Sequence, residues 1–379
     1  MNLHICSEGN FIKQAMNVFE HFFVNKNIFI VFNSHDRRIY KADIPIYRYE
    51  RNDCYILNKI QNICTTYAIE NVVIHGVSSN FFSILQYLKE MNLYSSSIYW
   101  IFWGYELYNA LGETGKYRLI DGNSPFSKLT YFAPNPFNAL VRRMFGKPLY
   151  SETLEKTLPY IDYFCFWFPH DFELLHKYYV SHAKFKYFKY SSSYRSNAPK
   201  NNFEIHPKNA NIIMVNHQAS LTGNHGILFE KLSTISGIGD FEICTPLSYG
   251  SNYIRKMVLK MGKRYFGNKY KPILNLMPLD EYNKFLASIP VAFFGAMRQE
   301  AAGNIMSLLK SGTKVYLREK NPLYLYYKEI GFLVFSFERE LNGLSDLQAL
   351  SEDQQLHNMQ VAELTQVYCE DFMPSFFDQ

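Results

Sequence analysis

NLHICSEGNFIKQAMNVFEHFFVNKNIFIVF, residues 2–32, contains two short apolar runs separated by one longer segment of mixed polarity. NLHIC and NIFIVF have the length and apolar content of buried strands, and FIKQAMNVFEHFF between them is typical of a helix. A strand, a helix and a second strand in this order form a βαβ unit, in which the two strands lie parallel. The stretch therefore predicts a parallel α/β sheet.

The same alternation continues along the chain, stops at a polar stretch and then restarts. In the first half, strands are predicted at 70–76, 97–104 and 162–168, with helix-like segments between them. The polar stretch 191–210, SSSYRSNAPKNNFEIHPKNA, has the composition of a linker. In the second half, NIIMVNH, DFEICTPL, IPVAFFG, TKVYLRE and GFLVFSF are predicted strands, again separated by helix-like segments.

Two Rossmann-like, doubly wound domains explain this restart, because 379 residues exceed what one hydrophobic core usually supports. We predict an N-terminal domain over 1–190, a linker over 191–210 and a C-terminal domain over 211–345. A helical segment, 346–379, is predicted to pack back toward the N-terminal domain. Doubly wound sheets bind ligands beyond the carboxyl ends of their strands, so we expect a cleft between the two domains.

Composition excludes several classes of protein. A hydrophobic fraction of 47% with 19% charged residues indicates a globular chain rather than a disordered one. The six cysteines are far apart and include no CxxC pair, which argues against a disulfide framework and against a zinc site. No apolar run is long enough to span a bilayer, and the first residues lack the features of a signal peptide. We therefore expect a cytoplasmic protein.

Three basic and aromatic segments, 140–150, 177–190 and 252–271, indicate an anionic partner. Seven basic residues and no acidic one lie between Glu242 and Asp280. Aromatic and basic residues together also bind single-stranded nucleic acid, but no nucleic-acid motif accompanies them. We expect peripheral contact with an anionic membrane face, with solvated helix faces as the alternative for 252–271.

The segment RQEAAGNIMSLLKSG, 298–312, follows a predicted strand and leads into a periodic apolar helix. A helix N-terminus carries free N–H groups and a partial positive charge, so it can bind a diphosphate. Arg298 adds a full positive charge beside it. The alternative is that Gly303 only helps to start the helix, because no complete phosphate-binding motif is present.

Five segments together resemble one known family: WGYELY (103–108), VNHQASLTGNH (215–225), PLSYG (246–250), RQEAAGNI (298–305) and LKSGTKVYLREKNPLY (309–324). They are similar to motifs of the TDP-N-acetylfucosamine:lipid II N-acetylfucosaminyltransferases, which act in enterobacterial common antigen assembly. The resemblance implies a GT-B fold, in which two Rossmann-like domains face an interdomain cleft. It also implies transfer of a deoxy-amino sugar from a TDP- or UDP-linked donor to a polyprenyl-diphosphate-linked or other surface-glycan acceptor. The enzyme would work peripherally on the cytoplasmic face of the inner membrane.

The resemblance also implies site residues. The donor-binding positions are Ser220, Thr222, Asn224, His225, Ser248, Tyr249, Gly250, Arg298, Gln299, Gly303, Asn304, Glu319 and Asn321. The positions on the acceptor side are His75, Trp103, Gly104 and Tyr108. The sequence departs from the family pattern at Asn216-His217-Gln218, where the family has Gly-Asn-Ser, and at Glu106, where it has Asp.

Glu106 and His75 are the candidate catalytic residues. Glu106 follows a buried strand, where it can take the proton of an attacking acceptor hydroxyl. Alternatively, it is a helix-start carboxylate that stabilises local amides. His75 ends a strand and is either a base or diphosphate donor, or a buried structural histidine.

No metal and no other cofactor is expected, because the chain contains no DxD pair to hold a metal-bound diphosphate. A helix N-terminus with Arg298 would neutralise the leaving group instead. Two other functions fit the same sequence. They are a non-catalytic protein that binds a nucleotide sugar or oligosaccharide, and a sugar-nucleotide epimerase.

Overall fold

The computed structural model describes residues 1–32, 44–50, 53–121, 134–190, 193–197, 205, 207–209 and 211–378. The predicted linker, 191–210, lies largely outside these ranges. The chain forms two compact units. Unit 1 consists of Met1–Thr114, Ala139–Pro199 and Val367–Gln379, and unit 2 consists of Gly115–Asn138 and Lys200–Gln366.

Unit 1 is built on a seven-stranded parallel sheet with the order β3-β2-β1-β4-β5-β6-β7. Its strands are β1 (Asn2–Ser7), β2 (Asn27–Phe32), β3 (Ile46–Tyr49), β4 (Asn71–His75), β5 (Ile98–Ile101), β6 (Tyr163–Phe166) and β7 (Lys184–Tyr187). Its helices are α1 (Asn10–Phe22), α2 (Ile56–Tyr67), α3 (Ser79–Glu90), α4 (Tyr105–Glu113), most of α5 (Pro136–Met144), α6 (Tyr150–Thr157), α7 (His170–Tyr178) and α14 (Cys369–Phe372).

Unit 2 repeats the design with a six-stranded parallel sheet in the order β10-β9-β8-β11-β12-β13. Its strands are β8 (Ile212–Val215), β9 (Glu242–Pro246), β10 (Tyr270–Ile273), β11 (Val291–Phe293), β12 (Lys314–Leu317) and β13 (Val334–Ser336). Its helices are α8 (His225–Ser233), α9 (Asn252–Phe266), α10 (Leu279–Ser288), α11 (Ala302–Lys310), α12 (Pro322–Glu329) and α13 (Glu352–Leu364). Short 3₁₀ helices span Leu158–Tyr160, Arg195–Asn197, Ile238–Asp240, Gly267–Lys269 and Leu344–Leu347.

The two sheets confirm the predicted pair of doubly wound domains. Each first strand, β1 or β8, pairs in parallel with the second strand on one side and with the fourth on the other. Strands are therefore added to one side of β1 and then, from β4 onward, to its other side, and the same reversal of strand order occurs between β8 and β11. A doubly wound sheet opens a crevice at such a reversal, beyond the carboxyl ends of the strands.

Buried apolar strands explain why both sheets lie inside their units. Every residue of β2, β4 and β5 is buried, and Tyr99 and Trp100 of β5 are fully enclosed. Strands with apolar residues on both faces are typical of parallel sheets covered by helices on each side. Capping side chains then fix where some helices begin. Ser251 accepts from the Ile254 amide to start α9, and Ser351 with Gln354 forms a capping box at α13.

The last residues of the chain divide between the two units. α13 packs on α11 in unit 2. Beyond it, Cys369, Phe372, Met373 and Phe376 join the core of unit 1, beside Val73, Tyr99 and Phe188. Segment 115–138 leaves unit 1 after α4 and belongs to unit 2. The sequence analysis predicted a return to the first domain from residue 346, whereas residues 346–366 belong to unit 2, and it did not include the crossing at 115.

None of the helices in the described ranges has both the length and the apolar character needed to cross a bilayer.

Candidate functional site

The loops that follow β8 and β11 meet at the carboxyl edge of the unit 2 sheet. β11 pairs with β8, so the two strand ends are neighbours although more than seventy residues separate them in sequence. Asn216 joins the two loops directly: its side chain accepts from the Gly295 amide at 3.0 Å and donates to the Gly223 carbonyl at 2.9 Å. The predicted donor residues Ser220, Thr222 and Arg298 are carried by these loops.

Glu300 is the centre of this cluster. Its Oε1 accepts from Ser220 Oγ at 2.7 Å and from Gln218 Nε2 at 2.9 Å. Its Oε2 accepts from Thr222 Oγ1 at 2.5 Å and lies 3.2 Å from the Arg298 guanidinium. The structure thus brings together three predicted donor residues and adds Gln218 and Glu300, which were not among the predicted contacts.

Glu300 is ionised in this setting. Burial would raise the pKa of its carboxyl, but the Arg298 guanidinium, His217 and the hydrogen bonds from Thr222 and Gln218 lower it to about 2. A buried carboxylate with this many donors is held in one orientation, and so are the groups that donate to it. Arg298 remains partly accessible, with 21% of its side chain exposed.

The N-terminus of α11 follows immediately after Arg298, Gln299 and Glu300. Ala301, the residue before the helix, has φ = 66°, so the chain turns sharply into α11. A Cβ built on Gly303 meets nothing within 4 Å. The backbone of the first turn of α11 is therefore not covered by side chains at Gly303. The Asn304 side chain beside it accepts a hydrogen bond from the Tyr282 hydroxyl at 2.9 Å.

Asn224 and His225 are enclosed rather than presented to a ligand. The Asn224 side chain donates to the carbonyls of Thr222, Gly295 and Leu119 and accepts from the Asp121 amide, so it fixes the loop. His225 is fully buried, and burial lowers its pKa to about 3. Neither ring nitrogen of His225 has a hydrogen-bond partner among the described residues.

Ser248, Tyr249 and Gly250 pack against the loop after β8. The Ala219 amide donates to the Tyr249 carbonyl at 3.0 Å, and Ala219 and Gly250 form an isolated parallel β-bridge. Gly250 has φ = +102°, and a Cβ there would lie 2.5 Å from the Ala219 carbonyl oxygen. Only glycine allows this approach. The Tyr249 side chain is 43% exposed and lies beside His217, with ring centroids 6.1 Å apart.

Glu319 and Asn321 have structural partners. Glu319 Oε1 lies 2.6 Å from Arg339 Nε. The fully buried Asn321 caps α12 by accepting from the Leu323 amide, and it donates to the Ala296 carbonyl. The structure therefore places Asn321 as a brace between the loops after β11 and β12.

Segment 115–121, which sequence analysis did not single out, lies along the same edge of unit 2. The Tyr117 hydroxyl is 2.5 Å from the Met297 carbonyl oxygen and 2.8 Å from that of Lys320. Asp121 pairs with the buried Arg318 at 2.8 Å. The segment therefore touches the loops after β8, β11 and β12. A run such as GKYRLID has no periodicity that would signal this placement.

In unit 1, Glu106 sits in the first turn of α4 and is 2% exposed. Its Oε1 accepts from the Val77 amide at 3.2 Å and from the Trp100 indole at 3.4 Å. Oε2 has no hydrogen-bond partner among the described residues. Burial raises the pKa of this carboxyl to about 7, although the hydrogen bonds from Trp100 and Val77 act to lower it. One oxygen of Glu106 therefore braces the loop after β4, and the other is buried without a hydrogen-bond partner among the described residues.

His75 belongs to a chain of buried hydrogen bonds. His75 Nδ1 lies 2.8 Å from the Tyr190 hydroxyl, and Nε2 lies 3.0 Å from His4 Nδ1. His4 Nε2 lies 3.3 Å from Asn27 Oδ1, an acceptor. Neutral His4 must therefore donate from Nε2, and His75 must donate to His4 from its own Nε2. Burial lowers the pKa of His75 to about 3. The ring is neutral, and both of its nitrogens are occupied.

Of the other three predicted acceptor-side positions, only Trp103 joins this chain of hydrogen bonds. The Trp103 indole donates to the Tyr190 hydroxyl at 3.0 Å. Gly104, with φ = 97°, precedes α4. Tyr108 is fully buried, and its hydroxyl donates to Asp171 at 2.5 Å. Tyr190 was not predicted, and nothing local in the segment KYFKY marks it as a partner of His75.

No known protein family matches the sequence, and no curated protein matches it either. The resemblance to the N-acetylfucosaminyltransferases is therefore not confirmed. Solved structures do match in fold. A sucrose-phosphate synthase from Thermosynechococcus elongatus superposes with a TM-score of 0.59 over 96% of this chain and 97% of its own, at 8% identity.

Two further structures match over a similar extent. The UDP-forming alpha,alpha-trehalose-phosphate synthase of Burkholderia vietnamiensis has a TM-score of 0.58 and 9% identity, over 99% of this chain and 98% of its own. Anabaena HepE, solved with UDP and glucose, has a TM-score of 0.54 and 8% identity, over 99% of this chain and 93% of its own. Two parallel-sheet α/β units that match such structures over nearly the full length establish that this chain has the GT-B glycosyltransferase fold.

Proposed function

We propose that this protein is a glycosyltransferase that uses a nucleotide-sugar donor. One observation carries the proposal: Arg298, an open helix N-terminus and a set of fixed hydroxyls meet where the order of the unit 2 sheet reverses. Doubly wound sheets bind nucleotides at this place. The matched HepE structure, solved with UDP and glucose, supports the same ligand class.

On the donor side, Arg298 and the first turn of α11 bind the diphosphate. The guanidinium supplies a full charge, and the free amides of the helix terminus add their partial charge. Gly303 leaves the backbone open to close approach. As the bond from the anomeric carbon to the phosphate oxygen breaks, negative charge grows on the diphosphate, and both groups stabilise it without a metal.

Glu300 acts as a positioning residue in this proposal. Its carboxylate holds Arg298 on one side and the hydroxyls of Ser220 and Thr222 on the other. Because Glu300 stays ionised, Arg298 keeps one orientation before the donor arrives. Preorganisation of this kind lowers the cost of orienting charges during the reaction.

On the acceptor side, Glu106 is the proposed proton acceptor. Its pKa of about 7 leaves a large share of the carboxyl ionised near neutral pH, and Oε2, although buried, has no hydrogen-bond partner among the described residues. The acceptor hydroxyl attacks the anomeric carbon, its proton moves to Glu106, and the nucleoside diphosphate leaves with the bonding electron pair. His75 does not serve as the base in this proposal, because Tyr190 and His4 occupy both of its nitrogens.

The finer specificity follows the sequence resemblance. We propose a deoxy-amino sugar on TDP or UDP as the donor and a polyprenyl-diphosphate-linked or other surface glycan as the acceptor. The basic segments of the chain agree with an acceptor at an anionic surface.

A donor panel tests the function. Purified protein is incubated with TDP-, UDP- and GDP-sugars, with and without a polyprenyl-diphosphate glycan, and free nucleoside diphosphate is measured. We expect the amount of nucleoside diphosphate released to depend on the nucleotide base of the donor and to increase when the acceptor is present. Tight nucleotide binding with neither transfer nor hydrolysis would identify a non-catalytic binding protein, and an altered sugar still attached to its nucleotide would identify an epimerase.

A further inference from the structure

His217 lies where the strand order of unit 2 reverses. It is the second residue after β8, and its ring centroid is 6.1 Å from that of Tyr249 and 6.4 Å from that of Phe294. Tyr249 follows β9 and Phe294 follows β11, the two strands that flank β8. The imidazole therefore lies at the carboxyl ends of three neighbouring strands, where a doubly wound sheet binds its ligand.

The backbone that carries His217 is locked in an uncommon conformation. Asn216 has φ = 57°, in the left-handed region that residues other than glycine rarely occupy. Its side-chain hydrogen bonds to Gly295 and Gly223 hold it there, and its amide donates to the Phe293 carbonyl at 2.8 Å. Such conformations persist where the surrounding structure fixes them, often at functional sites. The position of His217 is thus set before a ligand arrives.

The ring nitrogens of His217 are unused. The residue is 7% exposed, and within the described part of the chain neither nitrogen takes part in a hydrogen bond. A nearly buried polar group without a partner is costly, and a ligand that bonds to it removes the cost. His75 has both nitrogens occupied, and His225 is completely enclosed. Of these three histidines, His217 alone has unused nitrogens on a ring with accessible surface.

The groups that face His217 keep its ring neutral in the free protein. They are Glu300 and Arg298 from the loop after β11, His225 at the start of α8 and the Tyr249 hydroxyl. Burial lowers the pKa of His217, the Glu300 carboxylate acts to raise it, and the Arg298 guanidinium acts to lower it. The net effect is a lowered pKa, so an added anion beside the ring can still bring about its protonation.

We propose that His217 binds the diphosphate of the nucleotide donor and takes up one proton from solvent as it does so. The inference rests on the proposed function, because it takes the ligand at this edge to be a nucleoside diphosphate. Neutral imidazole has one N–H, and the charged ring has two. The negative charges of the diphosphate favour the charged ring, which then stabilises the leaving group together with Arg298. The proton returns to solvent when the nucleoside diphosphate departs.

Calorimetric titration of UDP or TDP into the full chain tests the inference, because repeating it in buffers of different ionisation enthalpy counts the protons taken up. We expect the parent to take up protons between pH 8 and pH 7. Its affinity should therefore rise as the pH falls, by at most about tenfold per pH unit for one proton.

Two substitutions separate the proton from the hydrogen bond. His217→Asn keeps a donor that does not titrate, and asparagine is the residue that the resembling family has at this position. It should take up fewer protons than the parent, and its affinity should rise less as the pH falls. His217→Phe removes both the donor and the proton, so it should weaken nucleotide binding about tenfold or more at every pH.

His357→Asn is the matched control, because it makes the same substitution at an exposed residue of unit 2. His357 bonds to the Gly331 carbonyl, which lies before β13 at the opposite edge of the sheet. This variant should bind nucleotide and take up protons like the parent, and circular dichroism should give native spectra for all variants.

Equal proton uptake in the parent and in His217→Asn would overturn the inference, and so would the absence of uptake in the parent. Either result would leave the proposed function intact, since donor use is measured by release of nucleoside diphosphate. A parent that binds none of UDP, TDP and GDP would overturn both. The proton count of the parent needs no variant, so the inference stays open to refutation even if His217→Asn does not fold.

Discussion

Two buried glutamates illustrate how neighbouring donors set the state of a carboxyl. Glu300 and Glu106 are both less than a tenth exposed. Glu300 has Arg298 and three hydrogen-bond donors around it, and its pKa falls to about 2. One oxygen of Glu106 has no hydrogen-bond partner in the described part of the chain, no cation is among the groups that shift its pKa, and burial raises that pKa to about 7. Burial alone therefore does not identify a base; the number of compensating donors does.

Glu106→Gln separates catalysis from stability. The variant keeps the shape and removes the proton acceptor, so we expect turnover to fall about 100-fold or more while nucleotide affinity stays unchanged. The pKa of Glu106 is higher in the folded protein than in the unfolded chain, so the stability of the wild type falls as the pH rises from about 4.5 to 7. The variant escapes this loss and should be about 3 kcal/mol more stable at pH 8. Urea unfolding and initial rates measure the two effects; unchanged turnover would leave Glu106 with its structural role alone.

Arg298 is the residue on which donor binding should depend most. Arg298→Ala removes a charge whose interaction strengthens as the diphosphate leaves, so we expect a loss of about 2–4 kcal/mol of transition-state stabilisation. Calorimetric titration of UDP or TDP should also give weaker binding. Arg298→Lys, which keeps the charge but not the planar fork, should recover part of each loss. Parent-like nucleotide affinity in Arg298→Ala would remove Arg298 from the donor site.

Sequence patterns located the site edge but not its centre. Ser220 and Thr222 were predicted through the family resemblance, and Arg298 also because it follows an apolar strand. Glu300 was quoted within the same motif and overlooked, since its partners Gln218 and Ser220 lie about eighty residues away. Their meeting depends on the pairing of β8 with β11, a long-range contact that no local pattern encodes.

Among structural elements, the strands that escaped prediction are β3, β7 and β10. Each lies at an edge of its sheet. Their sequences, IYRY, KFKY and YKPI, carry charges or a proline, features that protect a sheet edge from pairing with another chain. Central strands are continuous apolar runs and were all anticipated. An apolar run produces the signal that sequence analysis detects; these three edge strands lack it, whereas the edge strand β13 has an apolar sequence and was predicted.

The loop after β9 should tolerate substitution of its glycine far less than the start of α11 does, although both contain a predicted donor-site glycine. Gly250→Ala places a methyl group 2.5 Å from the Ala219 carbonyl oxygen in a left-handed conformation, so we expect a loss of about 3 kcal/mol or more. Gly303→Ala meets open space in a helix and should raise stability by up to about 1 kcal/mol.

Nucleotide affinity gives this pair of glycine variants a second readout. If the α11 backbone approaches a phosphate closely, Gly303→Ala should weaken UDP or TDP binding despite its higher melting temperature. Full affinity in Gly303→Ala would mean that the glycine only starts the helix.

At the scale of the whole molecule, buried neutral histidines make the protein sensitive to acid. Burial lowers the pKa of His75 and of His225 to about 3. The unfolded chain takes up these protons near pH 6.5, so stability is lost as pH falls below that value, by about 2 kcal/mol per histidine at pH 5. Glu106 opposes part of this loss. The urea midpoint should therefore decrease as the pH is lowered from 7 to 5, and it should decrease more steeply in Glu106→Gln. A constant midpoint in that variant would contradict the burial of His75 and His225 in their neutral form.

The closing residues of unit 1 have a consequence for how the chain is made. Cys369, Met373 and Phe376 are fully enclosed against the sheet that starts at residue 2. A ribosome therefore releases β1 to β7 long before these C-terminal residues, and residues 200–366 of unit 2 are translated in between. During this interval the apolar cluster around Val73, Tyr99 and Phe188 lacks the part of its cover that the C-terminal residues supply. We expect the nascent first unit to depend on chaperones until residues 369–376 have been translated, and a chain that stops at residue 366 to be degraded because its first unit does not fold.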